Sequence, residues 1–435
     1  MGDRTLAAAA LAAAMLSSAA VAAETAAPPA AVPQIPSWNR FVDRLRDLAP
    51  AVLAQVPEAQ RSDPQVQQEV VRLMLEALAS RTVDQITGDP DHPTFMASSN
   101  ITMNIRQPNA DTIYKRARIT PGGVYRLRGH KGSLRLARIG QYVRSTTDLD
   151  VTGGLQRVKV AVYNDLNLLK TDAQGRFDVI LSPERPAGYT GDWWKLDPGT
   201  TTLGIRQVAA DWAKERDPTL SIERLDVPVE RPRPSAADLE SRLDNLGVTT
   251  KNIALQLIDR PVEMEKAGAV NKLQIMDIAG AALEGQFYYE GVYDLKDDEA
   301  LIVEAKVPSR CLYHSALLTN SLYETTDWYN NHSSLNDSQT RIDSDGVLRI
   351  VVSTRDPGVP NWLDTAGHPS GVIQGRWMGC DVQPAPTARK VAFVDIRKSL
   401  PADTPTVTPA QRQAIIRERR APSSNARSGS RLIQA

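Results

Sequence analysis

Apolar residues first recur with helical spacing in residues 37–86. They stand three and four positions apart: Trp38, Phe41, Leu45 and Leu48. This spacing places them on one face of a helix. Ser62 and Gln65 resemble a capping box at the start of a second helix, and Gly and Pro residues between 88 and 93 end the pattern. We therefore expect a pair of packed N-terminal helices.

Beyond Pro93 the period changes to two, in short runs of alternating apolar and polar residues. Turn residues separate the runs, which are typical of strands with one buried face. The clearest runs are 125–128, 134–137, 158–162, 177–181, 301–305, 313–318, 348–353, 371–377 and 390–396. Many short strands between turns favour a sandwich or a jelly roll. No internal repeat is evident by eye.

Helical spacing returns between Pro234 and Tyr289. Ser235 is a candidate N-cap for a first helix, and apolar residues that would share one face predict a second helix. These residues are Leu273, Met276, Ala279, Ala282 and Leu283. The two helices would connect two strand-rich halves.

The patterns together predict an α+β fold that is mainly β, with two jelly-roll-like β-sandwich halves, an N-terminal helical pair and a central helical segment. The expected parts are a signal peptide (1–23), a Pro/Ala tether (24–36), N-terminal helices (37–93), a first β-rich half (94–230), a helical connector (231–296), a C-terminal β-rich half (297–400), and a basic helix with a disordered tail (401–435).

The first 23 residues have the pattern of a secretory signal peptide. A weakly basic start at Arg4 precedes an apolar run over 6–16, and small residues at 20–23 offer a cleavage site. The run is too short for a stable membrane anchor. We expect an exported protein, periplasmic or secreted, with no membrane span after cleavage. Export would allow Cys311 and Cys380 to form a disulfide; two buried free thiols are the alternative.

The charge balance argues against polyanionic partners. Lys plus Arg and Asp plus Glu each number 51, so the formal net charge is zero. Neither nucleic acid nor an anionic membrane surface is therefore expected as a partner. The sequence has no G-x-S-x-G, H-E-x-x-H, P-loop or G-x-G-x-x-G motif, and its five histidines are widely spaced. We predict neither a cofactor nor a metal site.

The first candidate segment for a site is 100–116. Asn109 and Asp111 form a turn just ahead of a strand, with Arg106 and the Tyr114 hydroxyl close by in sequence. Such a turn would hold a carboxylate and a hydroxyl at the rim of a site. An Asx turn at a strand corner accounts for the same residues.

The second candidate segment is the loop 321–339. It brings together aromatic rings, amides and a histidine at Trp328, Tyr329, Asn330 and His332. A flat apolar face surrounded by amide groups suits a sugar or an amide ligand. Side chains that only satisfy the backbone of their own loop are the alternative.

The third candidate segment is 348–380, in which two strand-like runs flank a long connection. Asp356 and Asp364 would be an acid and base pair if the loop brings them together, whereas turn capping is the other role for each. With Asp111 they are the candidate catalytic carboxylates. The candidate ligand-binding residues here are Asn361, Trp362 and Arg376.

Four runs resemble a bacterial family known as domain of unknown function 1214 (DUF1214). They are RQPNADTIYKRARI, GDWWKLDPGTTTLGIRQVAADWAKER, SLNDSQ and DPGVPNWLDTAGHPSGVIQGRW. The likeness extends over 38–396. It implies a jelly-roll β architecture, sometimes with two rolls in one chain, and a tendency to form homo-oligomers. It implies no established reaction, and no catalytic residue is carried over from it.

The leading functional hypothesis is an exported protein that binds, and in addition could process, a neutral polar ligand such as a glycan or a hydroxylated small molecule. Loops rich in Trp, Asn and Asp at strand ends motivate it. One alternative is a non-enzymatic oligomeric envelope or assembly protein, in which the same loops contact other subunits. A second alternative is a carboxylate-dependent hydrolase. Whether the protein is an enzyme stays open at this point.

Overall fold

The computed structural model describes residues 32–144, 158–276 and 283–421. By compactness the chain divides into two units, Met1–Pro36 and Ser37–Ala435. The predicted signal peptide (1–23) lies outside the described residues. Within the described ranges, no helix is both long enough and apolar enough to cross a membrane.

Five α-helices occur in the described ranges. They are α1 (Pro36–Arg46), α2 (Leu48–Leu53), α3 (Pro64–Thr82), α4 (Ala236–Lys266) and α5 (Pro409–Arg419). Helices α2, α3 and α4 share one apolar cluster, in which Leu48, Leu73 and Leu257 are buried together. The apolar faces of the N-terminal helices therefore pack against the long central helix.

Two N-caps were predicted, and one of them is observed. Ser235 caps α4 as predicted, because its hydroxyl accepts a hydrogen bond from a first-turn amide at 3.0 Å. The predicted capping box of Ser62 and Gln65 is wrong, since Asp63 is the N-cap of α3 and accepts from the Gln65 amide at 2.8 Å. Pro64 explains the shift: its fixed φ and missing N–H suit the first position of a helix.

Eighteen strands are present in the described residues. The first half contains β1 (Met96–Ser99), β2 (Thr112–Arg118), β3 (Tyr125–His130), β4 (Leu136–Arg144), β5 (Lys159–Asp165), β6 (Arg176–Ser182), β7 (Asp192–Lys195), β8 (Thr202–Val208) and β9 (Thr219–Arg224). The second half contains β10 (Gln274–Met276), β11 (Gln286–Asp294), β12 (Glu299–Lys306), β13 (Tyr313–Leu318), β14 (Ser334–Asn336), β15 (Val347–Ser353), β16 (Trp362–Asp364), β17 (Ser370–Met378) and β18 (Thr387–Ala392).

Each half is a sandwich of a five-stranded and a four-stranded sheet. The sheet orders are β1-β2-β8-β4-β5 and β7-β6-β3-β9 in the first half, and β10-β11-β17-β13-β14 and β16-β15-β12-β18 in the second. Each sandwich has its own apolar core, where Leu127 lies with Ile139 and Leu301 with Leu318. Alternate residues of facing strands supply these cores. The predicted fold class, mainly β with two sandwich halves and added helices, is confirmed.

The two halves repeat one connectivity. Each strand of β1–β9 has the same neighbours in its sheet as the strand nine places later has in the second half. The parallel pairing recurs as well, as β6 with β7 and β15 with β16. Ser182 and Ser353 end equivalent strands, and each hydroxyl donates to the carbonyl two residues on. The structure therefore contains a repeat that is not evident by eye in the sequence.

The predicted second helix of the central segment is wrong at its start. Gln274–Met276 is strand β10, which pairs with β11, and the predicted helical positions 279 and 282 lie outside the described residues. Strand β11 also begins inside the predicted helical connector. Both its edges are paired, with β10 and with β17, so pairing in the sheet overrides the helical spacing.

Cys311 and Cys380 form a disulfide, which decides between the two alternatives that the sequence leaves open. The bond joins the segment ahead of β13 to the segment after β17, and these two strands are paired neighbours. Both cysteines pack beside Trp377. The covalent loop spans 69 positions of the sequence.

Replacing both cysteines, as Cys311→Ser with Cys380→Ser, should lower the free energy of unfolding by up to about 4 kcal/mol, because a loop of this length restricts the unfolded chain. Urea unfolding followed by Trp fluorescence measures the change. Wild-type protein unfolded in a reductant is the control and should match the double variant. Equal midpoints for the oxidised wild type and the double variant would contradict the expectation.

Candidate functional site

A cavity of about 470 Å³ lies between the two sandwiches. Strands β2 and β8 form one wall, β11 and β17 form the opposite wall, and α4 with the end of α3 closes one side. The volume is within the range that binds small organic molecules. The cavity is therefore the candidate site.

A second, open groove of about 600 Å³ lies on the outer face of β3 and β6. Its charged side chains are already matched: Arg126 pairs with Asp178, and Arg176 pairs with Asp172. A groove whose charges satisfy one another offers little to a charged ligand. The enclosed cavity is the stronger candidate.

The enclosed cavity is strongly cationic. Its described lining includes no acidic residue and seven basic ones: Arg81, Arg106, Lys115, Arg116, Arg206, Arg260 and Arg376. Four tyrosines line it too: Tyr114, Tyr142, Tyr288 and Tyr323. Behind the lining, Glu290 and Asp84 pair with Arg260 and Arg81. The lining is therefore rich in positive charge, which favours an anion.

Two tyrosine–arginine pairs occupy equivalent places in the two sandwiches. Tyr114 lies opposite Arg206 in the pairing of β2 with β8, and Tyr288 lies opposite Arg376 in the pairing of β11 with β17. The pairs also interact electrostatically across the seam, Arg206 with Tyr288 and Arg376 with Tyr114. The Arg376 guanidinium lies 5.1 Å from the centre of the Tyr288 ring. The repeated fold thus brings two guanidinium groups to one part of the cavity.

A second group of cations consists of Arg81, Arg106 and Arg116. Arg81 lies at the end of α3, Arg106 follows β1, and Arg116 stands two residues beyond Tyr114 on β2. The charges of Arg81 and Arg116 repel that of Arg106, whose side chain is exposed. Arg106 donates to the neutral amide of Gln256 at 3.3 Å. A nearby negative charge would relieve this repulsion.

Three residues of the cavity wall adopt left-handed backbone conformations that are unusual for residues other than glycine. The φ angle is 61° at Arg106, 49° at Gln107 and 66° at Tyr323. Such strain persists only where neighbouring structure holds it, and it is concentrated at functional sites. The Tyr323 hydroxyl donates to Glu290 at 2.9 Å, and the Gln374 amide donates to Gln107. These bonds fix the shape of the wall.

Several buried nitrogen atoms at the cavity have no hydrogen-bond partner. They are Nε and Nη1 of Arg81, Nη1 of Arg376 and Nε2 of Gln107. Arg81 is 1% exposed and Arg376 is 3% exposed. An unmatched buried polar group costs about 1–3 kcal/mol, and more when it is charged. All of these atoms are donors, so a matching ligand would supply acceptors.

Asp111 is a buried link between the two sandwiches and does not line the cavity. Its carboxylate accepts hydrogen bonds from the Tyr313 hydroxyl at 2.6 Å, the Trp212 indole at 2.8 Å and the Asn336 amide at 2.7 Å. Asn109 donates to the Tyr313 oxygen at 2.8 Å. The carboxylate therefore already has three donors and a structural role.

Arg412 of α5 occupies the loops that contain Asp356 and His332. Its guanidinium donates to Asp356 at 3.0 Å and lies 5.1 Å from the centre of the Trp362 ring. Nε2 of His332 accepts from this guanidinium at 3.3 Å, while Nδ1–H donates to the Trp362 carbonyl at 2.6 Å. Burial, with Arg419 and Arg412 next in effect, lowers the pKa of His332 to about 3. The ring is thus neutral and holds the C-terminal helix.

The other residues of the two loops also have partners within the fold. Asp364 accepts from the Ala366 amide at 2.8 Å, which is the turn-capping alternative. Trp328 accepts at its carbonyl from Arg419 at 2.9 Å. Bonds of the same kind fix Asn330 to Asp327 and Asn361 to the Arg341 backbone, and the Arg420 guanidinium lies 5.9 Å from the Tyr329 ring centre. The acid–base pairing of Asp356 with Asp364 gains no support from these contacts.

The structure brings three of the predicted residues together at the cavity, namely Arg106, Tyr114 and Arg376. Asn109 lines a small void next to it. The candidates of the 321–339 loop and the candidates in 356–364 lie elsewhere. Sequence reasoning missed Arg81, Arg206 and Tyr288, and it placed Arg116 near the first candidate segment without making it a candidate site residue. Arg206 could have been found from the sequence, because it is an arginine inside an otherwise apolar strand, as Arg376 is.

No metal site is apparent in the described parts of the chain, where no group of three His, Cys, Asp or Glu residues could hold an ion. The cavity lining offers guanidinium and amide N–H donors, tyrosine hydroxyls and aromatic faces. Such groups recognise planar anions and flat apolar bodies.

A pair of carboxyl groups supports the strained wall from behind. Glu76 accepts from the backbone amide of Asn104 at 3.0 Å, and Asn104 exchanges two hydrogen bonds with the Thr325 backbone. Glu324 accepts from Arg72 at 2.8 Å. Burial, and then the nearby Glu324, raises the pKa of Glu76 to about 8. Near neutral pH the pair therefore retains a proton.

The comparisons with known proteins are consistent with the fold and name no activity. A crystal structure of an uncharacterised protein from Burkholderia cenocepacia is similar to this chain, with a TM-score of 0.75 and 25% sequence identity over 82% of this chain and 97% of that one. A Vibrio parahaemolyticus protein aligns with a TM-score of 0.38 and 12% identity over 74% and 99% of the two chains. No family model and no curated protein matches the chain. The resemblance to DUF1214 stays a prediction.

Raising the pH from about 4.5 to about 8 should lower the stability of the wild type through Glu76. The folded state binds the Glu76 proton more tightly than the unfolded state. The stability that this proton contributes is therefore fully present at low pH and is lost as the pH rises through the pKa of the folded state. Glu76→Gln keeps an acceptor for the Asn104 amide but no longer titrates. Thermal unfolding at pH 5 and pH 8 should show a smaller fall for this variant; an identical fall would contradict the assignment.

Breaking the anchor of α5 with Arg412→Met should lower the free energy of unfolding by about 1–3 kcal/mol, since His332 and the Val359 carbonyl, which are buried, lose their hydrogen-bond donor. Chemical denaturation measures the loss. Arg417→Met, at an exposed position of the same helix, is the matched control and should change stability little. Equal effects of the two substitutions would show that Arg412 does not anchor the helix.

Proposed function

We propose that the protein binds a small organic anion in the cavity between its sandwiches. The observation that carries the proposal is the set of buried, unpartnered N–H donors of Arg81, Arg376 and Gln107 in a cavity with a basic lining. A carboxylate, or another planar oxyanion, would accept from these donors and offset their charge. Charge-assisted hydrogen bonds of this kind are stronger than neutral ones.

An anion replaces the neutral ligand that the sequence suggested. That expectation came from aromatic and amide loops at strand ends, and those loops hold α5 through Arg412 and Arg419. The cavity also has apolar walls, to which Ile105, Leu257 and Tyr142 contribute. Apolar walls around a few polar groups favour an organic body over a bare inorganic ion.

Export of the protein remains part of the proposal. The leader pattern at 1–23 supports it, and so does the disulfide between Cys311 and Cys380, which is a feature of oxidising compartments. The proposed activity is thus the capture of a small anion outside the cytoplasm. Homo-oligomer formation, which the family resemblance implies, stays a prediction.

Isothermal titration calorimetry with carboxylates and their neutral amides tests the proposal. A carboxylate that binds should bind at least tenfold more tightly than its amide, because only the carboxylate offsets the guanidinium charges, and salt should weaken it. Arg376→Gln should reduce this affinity at least tenfold. Arg128→Gln is the matched control, since Arg128 is an exposed strand arginine paired with Glu223 outside the cavity.

Two results would overturn the proposal. If aromatic and aliphatic carboxylates bind no better than their amides, or if Arg376→Gln and Arg128→Gln have equal effects, the cavity does not recognise anions. Circular dichroism of both variants shows whether they are folded, so that loss of binding is not confused with loss of structure.

A further inference from the structure

We infer that the ligand carries two separate anionic groups joined by a flat apolar body. This inference rests on the proposed function and narrows it. One anionic group would lie against Arg206 and Arg376, and the other against Arg81, Arg106 and Arg116. The cavity lining contains both groups of arginines.

The two groups of arginines are distinct in space. Arg206 and Arg376 also border a small void beyond the cavity, next to Tyr313, whereas Arg81, Arg106 and Arg116 do not. Their electrostatic neighbours differ as well. Arg106 interacts with Arg81, Arg116 and Tyr323, while the tyrosines around Arg376 are Tyr288, Tyr114 and Tyr313. A single carboxylate would engage one group and leave the other unmatched.

Each group contains a buried guanidinium with an unpartnered nitrogen. In one it is Arg81, which is 1% exposed, and in the other it is Arg376, which is 3% exposed. Arg81 also pairs with Asp84, and Arg376 donates to Gln374, but each guanidinium keeps at least one N–H without an acceptor. Two positions that each need an acceptor require either two ligands or one ligand with two acceptor groups.

The spacing favours one ligand. Arg116 on β2 lies opposite Gly204 on β8, and Arg206 is two residues beyond Gly204 on the same face. Diagonal neighbours of this kind in an antiparallel pair have Cα atoms about 7–8 Å apart. Two arginines whose backbones are this close can both reach a single ligand that carries two carboxylates on a benzene ring or a short aliphatic chain.

An aromatic surface lies between the two positions. A Cβ atom at Gly204 would stand 2.7 Å from the Tyr142 ring, so the ring lies over this glycine. Gly204 is located between Arg116 and Arg206 on the sheet face. The Tyr142 ring therefore covers the gap between the two cationic positions, where a flat ligand body would stack on it.

Titration calorimetry of the wild type with terephthalate and with benzoate tests the inference. Terephthalate should bind at least tenfold more tightly than benzoate, because its second carboxylate engages the second group. Arg116→Gln should reduce terephthalate binding at least tenfold and change benzoate binding less than twofold. Arg116→Lys, which keeps the charge, should restore part of the difference.

The possible outcomes separate this inference from the proposed function. If benzoate binds and terephthalate binds no more tightly, the ligand has one anionic group, so the inference fails and the proposed function stands. If neither of them nor any carboxylate of the wider panel binds, both fail. The comparison of the two probes on wild-type protein needs no variant, so it stays decisive even if Arg116→Gln does not fold.

Discussion

The burial of arginine side chains between two apolar sandwiches is the constraint on which the rest of this structure depends. Each sandwich has its own continuous apolar core, so the seam between them does not have to be apolar as well. Burying a guanidinium costs several kcal/mol unless it is paired. Arg81 pairs with Asp84 and Arg376 donates to Gln374, and the nitrogens of both that lack a partner lie beside the cavity.

The repeated connectivity explains how such a cavity arises. Strands β8 and β17 are equivalent. Arg206 of β8 lies opposite Tyr114 of β2, and Arg376 of β17 lies opposite Tyr288 of β11. When two copies of one sandwich face each other, identical side chains meet at the centre. Here the arginine of each half lies near the tyrosine of the other half, Arg206 near Tyr288 and Arg376 near Tyr114.

The sequence reveals the scaffold better than it reveals the site. Alternation and turn residues identify about half of the strands, because burial of one sheet face produces a period of two in the sequence, whereas the start of β11 was expected to be helical. The site is harder to predict from the sequence. Arg116 and Arg206 have the spacing of ordinary strand residues, and they become neighbours only through the register of β2 with β8. The conspicuous loops mislead for a physical reason: an ordered polar loop must satisfy its own backbone, and His332, Asp356 and Trp362 do so while holding α5.

The two halves differ at one equivalent pair of positions beside the cavity. Two residues beyond the shared tyrosine, the first half has Arg116 opposite Gly204, whereas the second half has Glu290 opposite Gln374. Arg116 faces the cavity together with Arg81 and Arg106. Glu290 is fully buried, accepts a hydrogen bond from Tyr323 and pairs with Arg260. A symmetric pair of arginines would bind an anion in two equivalent orientations. The exchange of an arginine for a glutamate removes that equivalence, so the proposed ligand would have one favoured direction in the cavity.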